Sequence, residues 1–436
     1  MKHYILLLLS IVLIAYSCGN TDNIRNDDAF KHHNADLITD WIDLHLQVVK
    51  NTTGVSHIAY SRHFSYTGVA LYEALVNGDS HYKSIAGQLN GTISIPVAPQ
   101  GKPLYWPTSA NAAVAEMLRF FYAANPVNLQ RIDSLEDVYN AKYSVEVKNE
   151  VELQKAVTFG KQIATAVIEW SKLDGADGAA IPYTLLGEGY WEPTPNMFAA
   201  ANLPGWGNNR TILPTSISNT LPPAPIVFSA EPGTPFYNMV KEVYDVSQTL
   251  TDAQKALATF WDDAPNGKYV TAFGHWFNIL KQVLNKGNVG LMKAADAYMR
   301  LGITMNDATI SVWKTKYTYH QIRPVTFIRK HMGLGGWNSY IGTPPHPEYT
   351  AAHATISASA GFALESVFGP NYDFTDHTYD GLGMMPRTYT SFEQAGAEAG
   401  LSRLYGGIHY RPSIEIGNAM GIKVGDNVSK LLKTRK

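Results

Sequence analysis

The chain has 436 residues, 45% of them hydrophobic and 17% charged, with a formal net charge of −2. This excludes a disordered, weakly hydrophobic polymer and allows a sizeable core. It also excludes a globally basic nucleic-acid binder, so any anion site has to be a local cluster of charge. The N-terminus opens with Met1-Lys2-His3, an apolar run over residues 4–14, then Ala15-Tyr16-Ser17-Cys18. A run this short is the apolar region of a signal peptide rather than a spanning helix. No later segment is long and apolar enough to span.

Cys18 is the single cysteine, which excludes an internal disulfide. Its place after an apolar run and small residues resembles the lipobox of bacterial lipoproteins, although a larger aliphatic residue is commoner at the place of Ala15. An ordinary signal peptide with an incidental cysteine is the alternative. The expectation is a signal segment over residues 1–18, a polar tether over 19–35, and export to the periplasm or cell surface. Lipidation of Cys18 would anchor the protein without a spanning helix. The remainder, 36–436, reads as one large all-α domain or two helical halves sharing a core.

Helical periodicity begins with Leu37, Ile38, Trp41, Ile42, Leu46 and Val49, and returns at Ala112 to Phe121 and Leu153 to Trp170. Further helices are expected at 236–246, 252–261 and 270–284, and at 289–317 as one long helix or two stacked ones. The last three are expected at 350–368, 391–405 and 413–432. Strand-like alternation is scarce. The stretches 80–107 and 176–235 are Pro- and Gly-rich loops, of a length that usually forms entry walls, lids or packing straps. With 370–390, the second of these is expected to shape access to a site.

Three segments carry the chemistry. Lys316 and Arg323 lie seven residues apart, close to two helical turns, so they can share a face, and Pro324 then stops the helix. A proline-rich loop, Pro344-Pro345-His346-Pro347-Glu348-Tyr349, runs into Thr350-Ala351-Ala352-His353, where a helix rich in small residues starts. A helix N-terminus offers unpaired N–H groups and a positive dipole end. The third segment is Ser402-Arg403 through Gly406-Gly407 to His409. Each alone has a bland reading as a solvated face or a packed histidine. Together, one Lys, two Arg, two His and a helix N-terminus are what an oxyanion of charge near −2 or −3 requires.

These residues resemble the three-part signature of the vanadium-dependent haloperoxidases, which is shared with the type 2 phosphatidic acid phosphatases. Upstream stretches, Gly189-Tyr190-Trp191-Glu192-Pro193-Thr194-Pro195, Trp206-Gly207, Phe260-Trp261-Asp262-Asp263, Gly274-His275-Trp276 and Met305-Asn306-Asp307-Ala308, are similar to the bacterial haloperoxidase branch. The resemblance implies a helical bundle in which His409 binds vanadium, as vanadate, through an imidazole nitrogen. Lys316, Arg323, Arg403 and the N–H of Ala352 would hold its oxygens, and His353 would be the acid/base for hydrogen peroxide. Halide would be oxidised to hypohalous acid. The alternatives from the same pocket are an acid phosphatase holding phosphate and a non-catalytic oxyanion-binding lipoprotein.

Two positions depart from the family pattern. Ala351 stands where a serine hydroxyl usually meets the oxyanion. Thr350 either supplies a hydroxyl from one residue earlier or caps the helix. Ser413 stands where an aspartate usually orients the axial histidine, with Glu415 two residues on, so a weaker orienting partner for His409 is expected. His320 either lines the pocket or packs as an ordinary histidine. A divalent metal on His346, His353 and Glu348 lacks a third well-placed ligand. Asp373, Asp376, His377 and Asp380 read as a solvated acidic loop rather than a calcium site.

Overall fold

Apolar stripes bounded by side-chain caps and prolines give thirteen α-helices among the described residues of the computed structural model, which are 33–99, 104–195 and 197–436. The expected signal segment, Cys18 and most of the expected tether lie outside them. In chain order the helices are α1 (Asp36–Lys50), α2 (Ala59–Leu75), α3 (Trp106–Phe121), α4 (Pro126–Val147), α5 (Glu150–Ser171), α6 (Pro235–Gln248) and α7 (Asp252–Phe260). There follow α8 (Thr271–Gly287), α9 (Leu291–Tyr319), α10 (Pro324–His331), α11 (Ala352–Phe368), α12 (Phe392–Tyr405) and α13 (Arg411–Leu431). One small hairpin, β1 (Phe374–Asp376) against β2 (Arg387–Tyr389), pairs Phe374 with Tyr389.

The local chemistry sets the boundaries. Thr251 and Gln254 form a reciprocal capping box at α7. Thr234 caps α6 and Ser391 caps α12 through side-chain oxygens. Proline in the first turn opens α3, α4, α6, α10 and α13.

Helix α9 is buried along most of its length and forms the spine. It packs against α2 on one side and α11 on the other, and α11 packs against α12 and α13. No helix among the described residues is long and apolar enough to cross a membrane. The α11–α13 crossing depends on missing side chains: a Cβ on Gly421 would collide with the carbonyl of Thr355. This close approach sets the start of α11 beside the start of α13.

The long loop 176–235 is strapped onto α9. The buried Asp307 carboxylate accepts from Ile212 N at 2.8 Å, Leu213 N at 3.2 Å and the Ser216 hydroxyl at 2.7 Å. Gly207 lies flat on the backbone of Lys314, where any Cβ would clash.

Three helices fall outside the sequence expectation. Helix α2 is buried on nearly every face, Ser61, His63, Ser65, Thr67 and Glu73 included, so its polar residues do not mark a solvent side. Helix α4 is mostly exposed and shows only a thin stripe, Ile132, Glu136, Tyr139 and Tyr143. Helix α10 follows a break not expected between Lys316 and Arg323. Helix α9 ends at Tyr319, His320 adopts a left-handed conformation with φ of 51°, and Pro324 starts α10 rather than stopping α9. Lys316 and Arg323 therefore do not share a helix face. The residue before a proline is pushed towards extended backbone, and Arg323 takes that conformation as the N-cap of α10.

Candidate oxyanion site

Three segments converge, held by the cations themselves. Lys316, in the last turn of α9, is fully buried. Its Nζ donates to the carbonyls of Pro347 and Glu348 at 2.9 Å each and of Thr350 at 2.5 Å. All three ammonium protons are thus engaged by the loop that precedes α11. Arg323 joins all three segments. Its Nε donates to His346 O at 2.8 Å and Nη1 to Ile408 O at 2.9 Å. Nη1 also lies 3.2 Å from His409 Nε2, and Nη2 lies 2.9 Å from His346 Nδ1. Arg403, near the end of α12, donates from Nε to the Ser402 hydroxyl at 2.9 Å and from Nη2 to the carbonyl of Trp261.

His409 follows the Gly406-Gly407 turn, where Gly407 has a φ of +76°. Its Nδ1–H donates to Glu348 Oε1 at 2.7 Å, and the N–H of Tyr410 donates to the same oxygen at 3.1 Å. This fixes the tautomer: Nε2 carries the lone pair and can ligate a metal. The expectation of a weak orienting partner is therefore corrected. Glu348, from the proline-rich loop, supplies the carboxylate that the position of Ser413 lacks. Sequence reasoning quoted Glu348 only within a motif and as a divalent-metal ligand. The signal was its place in a fully buried loop, which no local periodicity reveals.

Ala352 opens α11 and His353 follows it; the side chain of His353 is 22% exposed. His353 Nε2 lies 3.5 Å from Asp263 Oδ2, a contact just short of a full hydrogen bond, and neither atom has another partner. His353, His409, Arg403 and Ala352 all line one cavity of about 530 Å³. Thr194, Pro195, Met197 and Ala199 from loop 176–235 form part of its wall, and Trp313, Phe273 and Ile341 add apolar surface.

Other expected residues sit elsewhere. Lys316 and Arg323 stand behind the cavity wall, and His320, Thr350 and Ala351 are also absent from its lining. His320 Nδ1 lies 3.2 Å from the Tyr183 hydroxyl, and the His320 carbonyl accepts from Trp191 N. The Thr350 hydroxyl meets Thr355 and Met420 Sδ, so it neither caps α11 nor faces the cavity. Ala351 is the N-cap of α11, without a side-chain bond, and its N–H is held by Ser413 O. Loop 370–390 does not line the cavity. It splits the acidic cluster: Asp373 pairs with Lys286, His377 with Asp380, and Asp376 is buried. No group of three or more His, Cys, Asp or Glu among the described residues is arranged to hold a metal ion.

The electrostatics favour an anion. Burial first, and then the neighbouring Arg323, holds Lys316 well below its ordinary value, with Glu348 opposing. Burial pushes Arg323 and Arg403 down to about 10, so both stay charged at neutral pH. Burial, then Arg323 and Lys316, keeps His409 well below 6.5 and hence neutral. Burial lifts Glu348 to about 7 against the pull of Lys316 and Arg323. Burial and Arg403 push His353 down to about 4, opposed by Asp263. A buried cluster of positive charge whose members depress one another is stabilised when an oxyanion enters.

Fold and site together define an all-helical protein in which three segments bring two histidines, two arginines and a lysine together in and behind the wall of one cavity. The family model described as the VCPO second helical-bundle domain matches residues 296–435, the part that carries all three segments. A solved bacterial vanadium-dependent iodoperoxidase is 33% identical, with a TM-score of 0.85, over 92% of this chain and 97% of that one. Apo and holo structures of a bacterial vanadium-dependent chloroperoxidase share the fold, at 15% and 16% identity and TM-scores of 0.67 and 0.63. They cover 87% and 88% of this chain and 95% and 94% of their own. No curated protein matches the chain. The chain belongs to the vanadium-dependent haloperoxidase family.

Proposed function

We propose that this protein is a vanadate-dependent haloperoxidase that converts halide, hydrogen peroxide and a proton to hypohalous acid and water. The observation that carries the reading is the convergence of His409, Arg403 and His353 on one cavity, with Lys316 and Arg323 buried behind it. The residues fit vanadate. His409 is held with Nε2 unprotonated, Arg403 lines the cavity with a forked donor, Arg323 would turn part of its fork from protein acceptors to the oxyanion, and the N-terminus of α11 adds the N–H of Ala352. When bound, vanadate supplies Lewis-acid activation of peroxide without a change of metal oxidation state.

The chain's own residues do the rest. Glu348 holds His409 in the ligating tautomer. Arg323 bridges the three segments and keeps them in register. Arg403 and Arg323 place positive charge where the peroxide oxygens become electron-poor, by preorganised donors rather than by reorganisation. His353 takes a proton from hydrogen peroxide and returns it to the departing water. Lys316, bound to three carbonyls, shapes the loop that carries Glu348, and would have to release one of them to reach a bound oxyanion.

The test is iodide and bromide oxidation by hydrogen peroxide, with and without added vanadate, alongside hydrolysis of a phosphomonoester. Vanadate-dependent halide oxidation supports the reading. Phosphomonoester turnover with silent halide assays would replace it with the phosphatase, and phosphate binding with both assays silent would leave an oxyanion-binding protein. We further propose export and lipidation at Cys18, supported by the apolar run over 4–14. Labelling with palmitate, abolished by Cys18→Ser, checks it.

A further inference from the structure

His275 is wholly buried, yet each ring nitrogen meets a carboxylate: Nδ1 lies 2.9 Å from Asp263 Oδ1 and Nε2 lies 2.8 Å from Asp376 Oδ2. Two carboxylate acceptors require two N–H donors, so the ring is an imidazolium. Trp261 stacks on it, with centroids 4.2 Å apart and planes inclined by 21°. The two acids pull His275 up to about 10 against its burial, and His275 holds both below the usual carboxylate range, again against burial.

The loop between β1 and β2 completes the arrangement. Asp376 Oδ1 is occupied by the N–H and hydroxyl of Thr378, at 2.9 and 2.6 Å. That leaves Asp376 Oδ2 for His275. The Tyr379 hydroxyl donates to Asp263 Oδ1 at 2.6 Å. Asp263 Oδ1 therefore has two donors, while Oδ2 has none except the facing His353 Nε2 at 3.5 Å. Trp261, two residues before Asp263, also ties Arg403 through its carbonyl.

We propose that His275 and Asp376 are positioning residues for His353. Clamped between two acids, His275 fixes the Asp263 carboxylate with a single free oxygen, which binds the proton of His353 at Nε2 and leaves Nδ1 as the basic nitrogen. The small hairpin is thus a support for the acid/base, although it does not line the cavity. The kinetic part rests on the haloperoxidase reading; the tautomer does not.

The experiment uses the full chain with 15N-labelled histidine, in the absence of vanadate at neutral pH. His353 and His275 resonances are assigned by their loss in His353→Gln and His275→Gln. Long-range 1H–15N spectra are expected to show His353 protonated at Nε2 only and His275 protonated at both nitrogens. A neutral His275, or a His353 protonated at Nδ1, overturns the proposal even if neither Asp376 variant folds.

In the vanadate-loaded enzyme, Asp376→Leu is expected to lower kcat/KM for peroxide by about 10- to 100-fold, with the vanadate Kd kept within about 3-fold. Asp376→Asn keeps an acceptor for His275 and is expected to recover kcat/KM to within about 3-fold of the unaltered protein. Equal kinetics in the two variants would overturn the proposal. The expected tautomers in a protein without halide oxidation would sink the haloperoxidase reading while leaving the positioning role intact.

Discussion

Glu348 offers a way to separate metal ligation from charge attraction. Its carboxylate orients His409 through a 2.7 Å bond and also places negative charge near the anion pocket. Removing it has two opposed effects. Loss of orientation would weaken a bond from His409 to the metal by about 10- to 100-fold, or about 1.4–2.7 kcal/mol. Loss of repulsion strengthens the binding of any anion, on the order of 2 kcal/mol at an effective dielectric near 20. The two nearly cancel for vanadate, so vanadate affinity alone is uninformative. Phosphate feels only the second effect, because it makes no bond to the imidazole.

The selectivity for vanadate over phosphate therefore isolates the bond from His409 to the metal. In Glu348→Leu it should fall by about 10- to 100-fold, whereas Glu348→Gln, which still accepts from Nδ1–H, should keep it within about 3-fold. Competitive calorimetric titration of each variant with both anions reads the ratio. An unchanged ratio in Glu348→Leu would refute the orienting role and return attention to Ser413.

Other outcomes follow from the same geometry. His353→Ala should lower kcat by about 10²- to 10⁴-fold with vanadate affinity kept within about 10-fold, since its role is proton transfer; a matching loss of affinity would make it a ligand. The folded-state pKa of His275 is raised from 6.5 to about 10, so its stabilising contribution is complete below about pH 6.5 and is lost as pH rises through about 10. The urea midpoint of the vanadate-free protein should fall from pH 7 to 10, reflecting a loss of unfolding free energy on the order of a few kcal/mol, and a flat midpoint would contradict the buried ion triad. Gly421→Ala should cost about 1–3 kcal/mol, because the new methyl meets the carbonyl of Thr355. A drop of several degrees in Tm would register it.

The sequence made the architecture and the identity of the cationic residues legible, because α9, α11 and α13 have long apolar patterns and the three segments have fixed spacings. What it hid were features set by tertiary contact. The break at His320 lies in a stretch whose Lys-to-Arg spacing matches a continuous helix, and only the left-handed residue shows that Arg323 belongs to α10. Glu348 and Asp376 both look like loop acids, yet both are fully buried against histidines remote in the chain. Burial of a loop cannot be read from periodicity, so the carboxylates that orient the chemistry were less visible than the cations that attract the oxyanion. Ala351 and Ser413 looked like deficits. Ser413 is offset by Glu348, while the hydroxyl missing at Ala351 is not replaced by Thr350.

The account stands on His409 as the ligand at the centre of the buried cations. A crystal structure of the protein grown with vanadate tests it most directly. The predicted result is vanadium bonded to His409 Nε2, with Arg323 and Arg403 on its oxygens and Lys316 released from one of its three carbonyls. Vanadate absent from the cavity, or held there without a bond to His409, would contradict it.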